Sequence, residues 1–338
     1  MKIGKIDTDR KVFIIAEIGN NHEGSFKIAK KMISEAAATG VDAVKFQTFI
    51  PEYFISCEEQ SRLNRLRSFQ LSYNQFIELS KFAKKKGLIF FSTPLDIGSA
   101  KFLNNIQPIF KIASGDNDFY PLIDTVAKFG KPIIISTGIA DADSVKKIYN
   151  KVLKYWSSKK KCNQNLAFLH CVSSYPVPDE QANLASILCL KKMFPKIVIG
   201  YSDHTLGIDA AVLSVMAGAR IVEKHFTLDN NYSDFRDHKL SADPEKMYLM
   251  VNKIRKAEKM LGKEEKKPQV CEKELKKAGR RSIAAAHNLV KGNKLLSSDL
   301  IWIRPGIGFS PGEEKKILGK RINRNLKFGQ IIKKSDIK

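Results

Sequence analysis

The stretch KIVIGYSDHTLGIDAAVLSVMAGARIVEKHFT (residues 196–227) decides the fold. KIVIGYSD (196–203) and ARIVEKHFT (219–227) are short apolar runs that end in polar side chains. The segment near 208–217 has a helical pattern, and Gly218 stands where a left-handed helix C-cap belongs. Continuous rather than half-polar strands are those covered on both faces, as in parallel sheets. The unit therefore reads strand, helix, strand.

The same unit repeats upstream. Further strand-like runs are KVFIIAEIG (11–19), VDAVKFQTF (41–49), LIFFSTP (88–94), PIFKIAS (108–114), KPIIIST (131–137) and NLAFLHCVS (165–173). Helical patterns separate them. Ile28, Met32, Ile33 and Ala36 recur at spacings of three and four in the first; the others lie near 74–86, 97–106, 119–129, 142–156, 184–194 and 244–261. Gly40, Gly87 and Gly130 close three of these helices. Eight such units predict a (β/α)8 TIM barrel over residues 1–262. A doubly wound sheet is the rival, but it usually has fewer strands and a Gly-rich first turn, and no G-x-G-x-x-G or P-loop is present.

Beyond the barrel, 263–280 is Lys/Glu-rich and reads as a linker. The runs RSIAAA, LIWIRPG and QIIKKSDI then predict a small β-rich domain over 281–338. Its core would be marginal alone, so it is expected to dock on its own barrel or a partner's.

Composition narrows the class. The chain is 43% hydrophobic and 28% charged, as in a globular protein, which excludes disorder and collagen-like structure. No apolar run approaches the ~20 residues that span a bilayer, and the N-terminus lacks an apolar leader. A cytoplasmic protein with no membrane partner is expected. Five cysteines (Cys57, Cys162, Cys171, Cys189, Cys271) are scattered without a C-x-x-C pair, against a thiolate zinc site or a disulfide framework. The net charge is +23. Residues 263–338 hold 20 basic and 8 acidic residues, several times more basic per residue than the rest. Nucleic acid is still not the expected partner: lysines alternate with glutamates in the linker, and Trp302, Phe309 and Phe328 make no stacking platform.

A barrel carries its chemistry at the C-terminal ends of its strands. Those ends hold Glu17, Lys45 and Gln47, Ser92 and Thr93, Lys111 and Ser114, Ser136 and Thr137, Ser173 to Tyr175, Ser202 with His204, and Glu223 with His225. Polar groups ending apolar strands cost stability unless paired or used. Side-chain alternation puts Lys45 with Gln47, Ser202 with His204, and Glu223 with His225 on shared faces. His204 and His225 end neighbouring strands and together suit one divalent metal, with oxygen donors filling the other positions. Lys45 and Lys111 face one mouth and repel unless an anion sits between them. Thr93, Ser114, Ser136 and Ser202 complete a shell fit for a phosphate and a carboxylate. Glu17 is placed to act as acid or base, to orient a sugar hydroxyl, or to pair with Lys45. His22 has no assigned role.

Taken together, IAEIGNNHEG (15–24), VKFQT (44–48), STP (92–94), FKIASGD (110–116), PLI (121–123), GKPIIISTG (130–138), LHC (169–171), YP (175–176), IGYSDHT (199–205), EKHFT (223–227), RDHKLSADP (236–244), GRRSIAAA (279–286) and WIRPGIGFSP (302–311) resemble the sialic acid (N-acetylneuraminate) synthase family. The last two strings look like its antifreeze-like (SAF) domain. The resemblance implies a transferase that condenses phosphoenolpyruvate with an N-acetylated amino sugar, N-acetylmannosamine in the first instance. It implies a homodimer with exchanged C-terminal domains. It implies that His204 and His225 hold Mn2+, or Mg2+ or Co2+. Lys45, Thr93, Lys111, Ser114, Ser136 and Ser202 match the phosphoenolpyruvate positions. Gln47, Tyr175 and Asp237 match positions near the acceptor, Glu17 matches the active-site glutamate, and Arg304 matches an arginine sent into the partner's site.

Asp116, Ser173 and RDHKLSADP depart from strings found in some members, mostly on the sugar side. Alternatives are therefore a legionaminic or pseudaminic acid synthase using a diacetamido hexose, or another phosphoenolpyruvate-dependent 3-deoxy sugar acid synthase. A non-catalytic sugar-binding barrel explains neither the two lysines nor the histidine pair.

Overall fold

The computed structural model describes residues 1–157 and 166–338. Cys162 and Asn165, the first residue of the sixth strand-like run, lie outside the described residues. The chain folds as two compact units, Met1–Gly262 and Lys263–Lys338.

The first unit opens with a small hairpin, β1 (Lys2–Ile3) and β2 (Ile6–Asp7), which the sequence reading did not anticipate. Eight parallel strands follow: β3 (Phe13–Gly19), β4 (Ala43–Thr48), β5 (Ile89–Pro94), β6 (Phe110–Ile112), β7 (Ile133–Ser136), β8 (Leu166–Cys171), β9 (Val198–Asp203) and β10 (Ile221–His225). Their ladder runs β5-β4-β3-β10-β9-β8-β7-β6. The two end strands, β5 and β6, lie side by side and bring the ring round to a TIM-like barrel. At that seam the side chain of Gln107 stands in for a strand, its Oε1 accepting the Ser92 N–H at 2.7 Å.

Helices connect the strands: α1 (Phe26–Ala38), α2 (Gln60–Phe69), α3 (Tyr73–Lys85), α4 (Ile97–Leu103), α5 (Tyr120–Phe129), α6 (Ala142–Ser157), α7 (Ala185–Met193), α8 (Asp209–Met216), α9 (Asp237–Leu240) and α10 (Pro244–Leu261). Side-chain caps start several: Ser25 accepts from Ile28 N–H, Asp96 from Ser99 N–H and Asp243 from Lys246 N–H. Gly40, Gly87, Gly130 and Gly218 all have positive φ just before a strand. The short α9 and the mostly polar α2 were not read from the sequence.

Strand alternation separates two cores. One face packs on the helices through residues such as Ile14, Val44, Phe90, Phe110 and Val222. The other points into the barrel, where Phe13, Ile15, Ala43, Phe91, Ile134, Leu169 and Ile221 pack with Met1 and Ile3 of the hairpin. The hairpin thus contributes to the apolar interior, and polar residues begin only above it. Ser92 faces the helices and meets Thr48 at 2.7 Å, so it is not part of the mouth.

In the second unit, α11 (Lys273–Gly279) occupies part of the stretch read as a linker. β11 (Ser282–Ala285) and β12 (Leu300–Ile303) pair antiparallel. Ile283, Leu289, Leu295, Ile317 and Ile332 lie in its own small core.

At Gly200 the barrel interior leaves no room for a side chain. A Cβ there would lie 2.4 Å from the Ile221 carbonyl oxygen and 2.6 Å from Leu169 Cδ2. Neither backbone nor packed core gives way cheaply, so Gly200→Ala is expected to destabilise the barrel by about 1–3 kcal/mol, read as a lower denaturant midpoint at unchanged slope.

Candidate active site

The apolar interior ends at a layer of charge. Lys45 Nζ lies 2.7 Å from Glu17 Oε2 and 3.7 Å from Glu223 Oε2, and donates to Thr93 Oγ1 at 3.1 Å. Lys111 Nζ lies 3.5 Å from Glu223 Oε1, which also accepts from Ser202 Oγ at 2.9 Å. None of these four ionisable residues is more than 4% exposed. The anion that two facing lysines require is thus already supplied by the protein, as Glu223.

The environment sorts their protonation. Burial pushes the Glu17 carboxyl up to about 7, against the pull of Lys45. Burial also opposes both ammonium groups. At Lys45 the charges of Glu17 and Glu223 outweigh it and hold the pKa above the ordinary lysine value. At Lys111 burial wins over Glu223, and Lys45 adds repulsion, so its pKa is lowered. Burial acts against the Glu223 carboxylate too, but Lys111 and Lys45 together keep its pKa low. Near neutral pH, Glu17 is therefore the carboxyl of this cluster poised to exchange a proton.

Hydroxyls flank the lysines. Ser136 Oγ and Ser173 Oγ are buried without a hydrogen-bond partner. Ser114 Oγ accepts the Gly138 N–H at 3.2 Å, and Asn117 Nδ2 donates to Gly138 O at 2.9 Å. A Cβ on Gly138 would fall 2.4 Å from Ser173 Oγ and 2.7 Å from Ser114 Oγ, so the glycine lets three loops converge. Unsatisfied buried hydroxyls beside two ammonium groups suit an oxyanion. Asp116, next to Ser114 and Asn117, is pushed up to about 6 by burial and by Asp118.

His204 and His225 stand with ring centroids 5.3 Å apart. His204 Nδ1 meets Val172 O at 2.9 Å, the outward bond that usually fixes the tautomer of a metal-ligating imidazole. His225 Nδ1 is buried with no hydrogen-bond partner, Asp237 being 4.0 Å away, and burial with the neighbouring His204 holds its pKa well below 6.5. A neutral ring with an orphaned nitrogen fits a metal ligand. Among the described residues no group of three His, Cys, Asp or Glu forms a metal cage, so the pair fits an ion only if other donors complete its shell.

Two of the acceptor-side candidates, Tyr175 and Asp237, come together around the histidines. The Tyr175 ring lies 4.2 Å from His204, and the Arg236 guanidinium sits 4.5 Å above it. Asp237 lies 3.4 Å from Arg236 Nε and 4.0 Å from His225 Nδ1. Burial raises its pKa against the pull of Arg236. Gln47 Oε1 accepts from Asn20 Nδ2 at 2.8 Å. Arg304 lies in the second unit, where its Nε donates to Gly279 O at 2.9 Å.

The NeuB family matches residues 32–266, and the SAF domain matches residues 280–338. The chain belongs to the NeuB family. It is 43% identical to an uncharacterised protein of Methanocaldococcus jannaschii, over all of this chain and 98% of the other. It is 38% identical to N,N'-diacetyllegionaminic acid synthase of Legionella pneumophila, over 95% of this chain and 93% of that one. The solved N-acetylneuraminic acid (sialic acid) synthetase of Leptospira borgpetersenii superimposes with a TM-score of 0.75 at 34% identity, covering 81% of this chain and 94% of that one. This NeuB-family member is an enzyme, a phosphoenolpyruvate-dependent nonulosonic acid synthase of the transferase class.

Three residues of this NeuB-family site were not assigned from the sequence. Glu223 was recognised as an inward strand-end residue, but its place between two lysines depends on barrel curvature. Asn20 sits in the GNNHEG string without a role until its bond to Gln47 is seen. Arg236 is mostly exposed, and only the stack on Tyr175 marks it.

Behind the histidines, on the helix-facing side, Lys224 Nζ pairs with Asp203 Oδ2 at 2.9 Å and donates to Thr205 O at 2.7 Å, both side chains fully buried. Asp203 also accepts from Thr205 N–H and Oγ1. This pair ties together the strand ends that carry His204 and His225. Lys224→Met leaves a buried carboxylate unpaired and is expected to cost about 3–5 kcal/mol in a denaturant titration, with part regained in the Lys224→Met, Asp203→Asn double variant.

His22 now has a structural place: Nδ1 accepts the Gly24 N–H at 3.0 Å and the ring lies beside Phe46. Burial depresses its pKa from 6.5 to about 4. The unfolded chain therefore binds more protons between those values, so stability falls as pH drops from 6.5 towards 4. The loss from this residue is about 3 kcal/mol. His22→Gln is expected to flatten that part of the stability–pH curve.

Proposed function

We propose that the enzyme condenses phosphoenolpyruvate with the open-chain aldehyde of an N-acetylated hexosamine, N-acetylmannosamine in the first reading, plus water, giving an N-acetylneuraminate-type acid and phosphate. The observation that carries this reading is the layer of Lys45, Lys111 and Glu223 beside orphaned serine hydroxyls, with the histidine pair opening onto the same mouth. A second reading, a diacetamido hexose leading to a legionaminic-type acid, is favoured by the likeness to the Legionella enzyme.

Lys45 and Lys111, with Thr93, Ser114, Ser136 and Ser202, hold the phosphate and carboxylate of phosphoenolpyruvate and stabilise charge as it develops. Gln47, Tyr175 and Asp237 orient the acceptor so that its aldehyde carbon faces the phosphoenolpyruvate methylene. The methylene attacks that carbon, and water adds to the cationic C2. Glu17, as carboxylate, takes the water's proton, the alkoxide at the former aldehyde carbon is protonated to a hydroxyl, and phosphate leaves with C–O cleavage as the C2 hydroxyl gives it a proton and becomes the ketone. A divalent ion held by His204 and His225, Mn2+ or else Mg2+ or Co2+, would supply Lewis-acid polarisation. The enzyme works in the cytoplasm on this reading, in keeping with unpaired thiols at Cys57, Cys171, Cys189 and Cys271. It acts as a homodimer in which Arg304 of one subunit reaches the N-acetyl group in the other's site.

Phosphate release from phosphoenolpyruvate is expected with N-acetylmannosamine or a diacetamido hexose and not with either omitted. Requirement for a phosphorylated aldose would instead support a 3-deoxy sugar acid synthase. Chelation should abolish turnover and Mn2+ restore it, while His204→Ala lowers Mn2+ binding measured directly by electron paramagnetic resonance.

Because Glu17 must be ionised to accept the proton, kcat/KM should rise with pH through about 7. Glu17→Gln should lose that limb and about 10²–10⁴-fold in kcat. A profile unchanged by the substitution removes Glu17 from proton transfer.

Domain exchange makes a separate prediction. Lys111→Ala and Arg304→Ala are each expected to be inactive alone. Coexpressed, they form mixed dimers with one intact site, recovering about a quarter of wild-type activity. No recovery would rule out exchange.

A further inference from the structure

Loop 228–243 carries Arg236 and Asp237 to the mouth, yet little of it is regular structure. Its hold comes from elsewhere. Glu23, in the loop between β3 and α1, accepts a short bond from Ser233 Oγ and lies 3.1 Å from His238 Nε2. His238 Nδ1 meets Thr227 Oγ1 at 2.7 Å, so both ring nitrogens are engaged, and the residue is 1% exposed. Tyr232 and Phe235 pack against the ring.

The anchoring loop is itself rigidly placed. Glu23 adopts φ 45°, a left-handed conformation that costs a non-glycine residue of order 1 kcal/mol. Gly24 follows at φ 80°, and a Cβ there would lie 2.0 Å from Ser68 O. Phe69, next to Ser68, meets Phe235 edge-on at 5.2 Å. Asn21 Nδ2 donates to Phe226 O and Ser241 Oγ, bracketing the same loop. Strain at Glu23 persists because its carboxylate is committed to the loop opposite.

We propose that Glu23 and His238 are positioning residues: they clamp loop 228–243, and with it Arg236 and Asp237, and so set acceptor binding without touching the acceptor. The proposal rests on the functional reading above, in which this side of the mouth takes the sugar. The phosphoenolpyruvate side is built on strand ends and does not depend on the clamp.

The test uses the full-length enzyme saturated with Mn2+ and the acceptor that wild type turns over. Glu23→Ala is expected to raise the acceptor KM about tenfold or more, while the phosphoenolpyruvate KM and Mn2+ affinity stay within about twofold. Glu23→Gln keeps an oxygen for Ser233 and His238 and is expected to recover most of the loss. If Glu23→Ala does not fold, His238→Asn cuts the other arm of the clamp and is read the same way. Equal rises in both KM values, or no change in either, overturn the proposal. Calorimetric binding of phosphoenolpyruvate to wild type keeps the two questions apart: its absence would sink the functional reading, whereas its presence with no acceptor-specific effect would sink the clamp.

Discussion

The constraint on which this molecule turns is the burial of two carboxyl groups and two amines on an apolar floor. Removing each ionised group from water costs several kcal/mol, and only close opposite charges offset that cost. Glu17, Lys45, Glu223 and Lys111 alternate in sign, which makes the layer tolerable. It also makes it intolerant of loss, since deleting one member strands its neighbours. Glu223 is the hinge of the arrangement because its two oxygens face different lysines.

That layer needs a frame that does not shift. The strands below provide it, closed by Met1 and Ile3 at the apolar floor and by Gln107 at the seam. On the reverse side, the Asp203–Lys224 pair fixes the strands bearing His204 and His225. The pair faces the helices, so the histidines are set by an electrostatic contact that no substrate reaches. Strand alternation is what allows one short segment, EKH (223–225), to serve both faces at once.

The barrel was legible because its signals are local. Apolar runs, helical spacing and glycine caps each lie within one strand–helix unit. The inward direction of Lys45, Lys111, His204 and His225 followed from the same alternation. What stayed hidden depends on closure. Nothing near Glu223 in sequence says that β10 brings its carboxylate between lysines from β4 and β6. Helix α2 escaped because it buries only Leu63 and Phe69, too few to set a period. The first two strands, two residues each, carry no pattern at all. Arg236 and Asn20 act through partners far along the chain, and no spacing rule reaches them.

The two sides of the mouth are built differently, and this bears on the division of labour proposed for them. The anion side consists largely of strand-end residues, whose positions are fixed by the barrel. The side proposed for the acceptor depends in part on a loop held by side-chain bonds to another loop. Loops tolerate replacement far better than barrel strands. On the proposed reading, a change of acceptor can be met in 228–243, its anchors and the acceptor-facing Gln47 and Tyr175, leaving the lysines and hydroxyls where they stand. The net charge of +23 says nothing of this, because the buried cations of the barrel mouth, Lys45 and Lys111, are paired with Glu17 and Glu223. On the proposed reading, selectivity for an anion comes from the two buried lysines and the unsatisfied hydroxyls beside them rather than from the overall excess of positive charge.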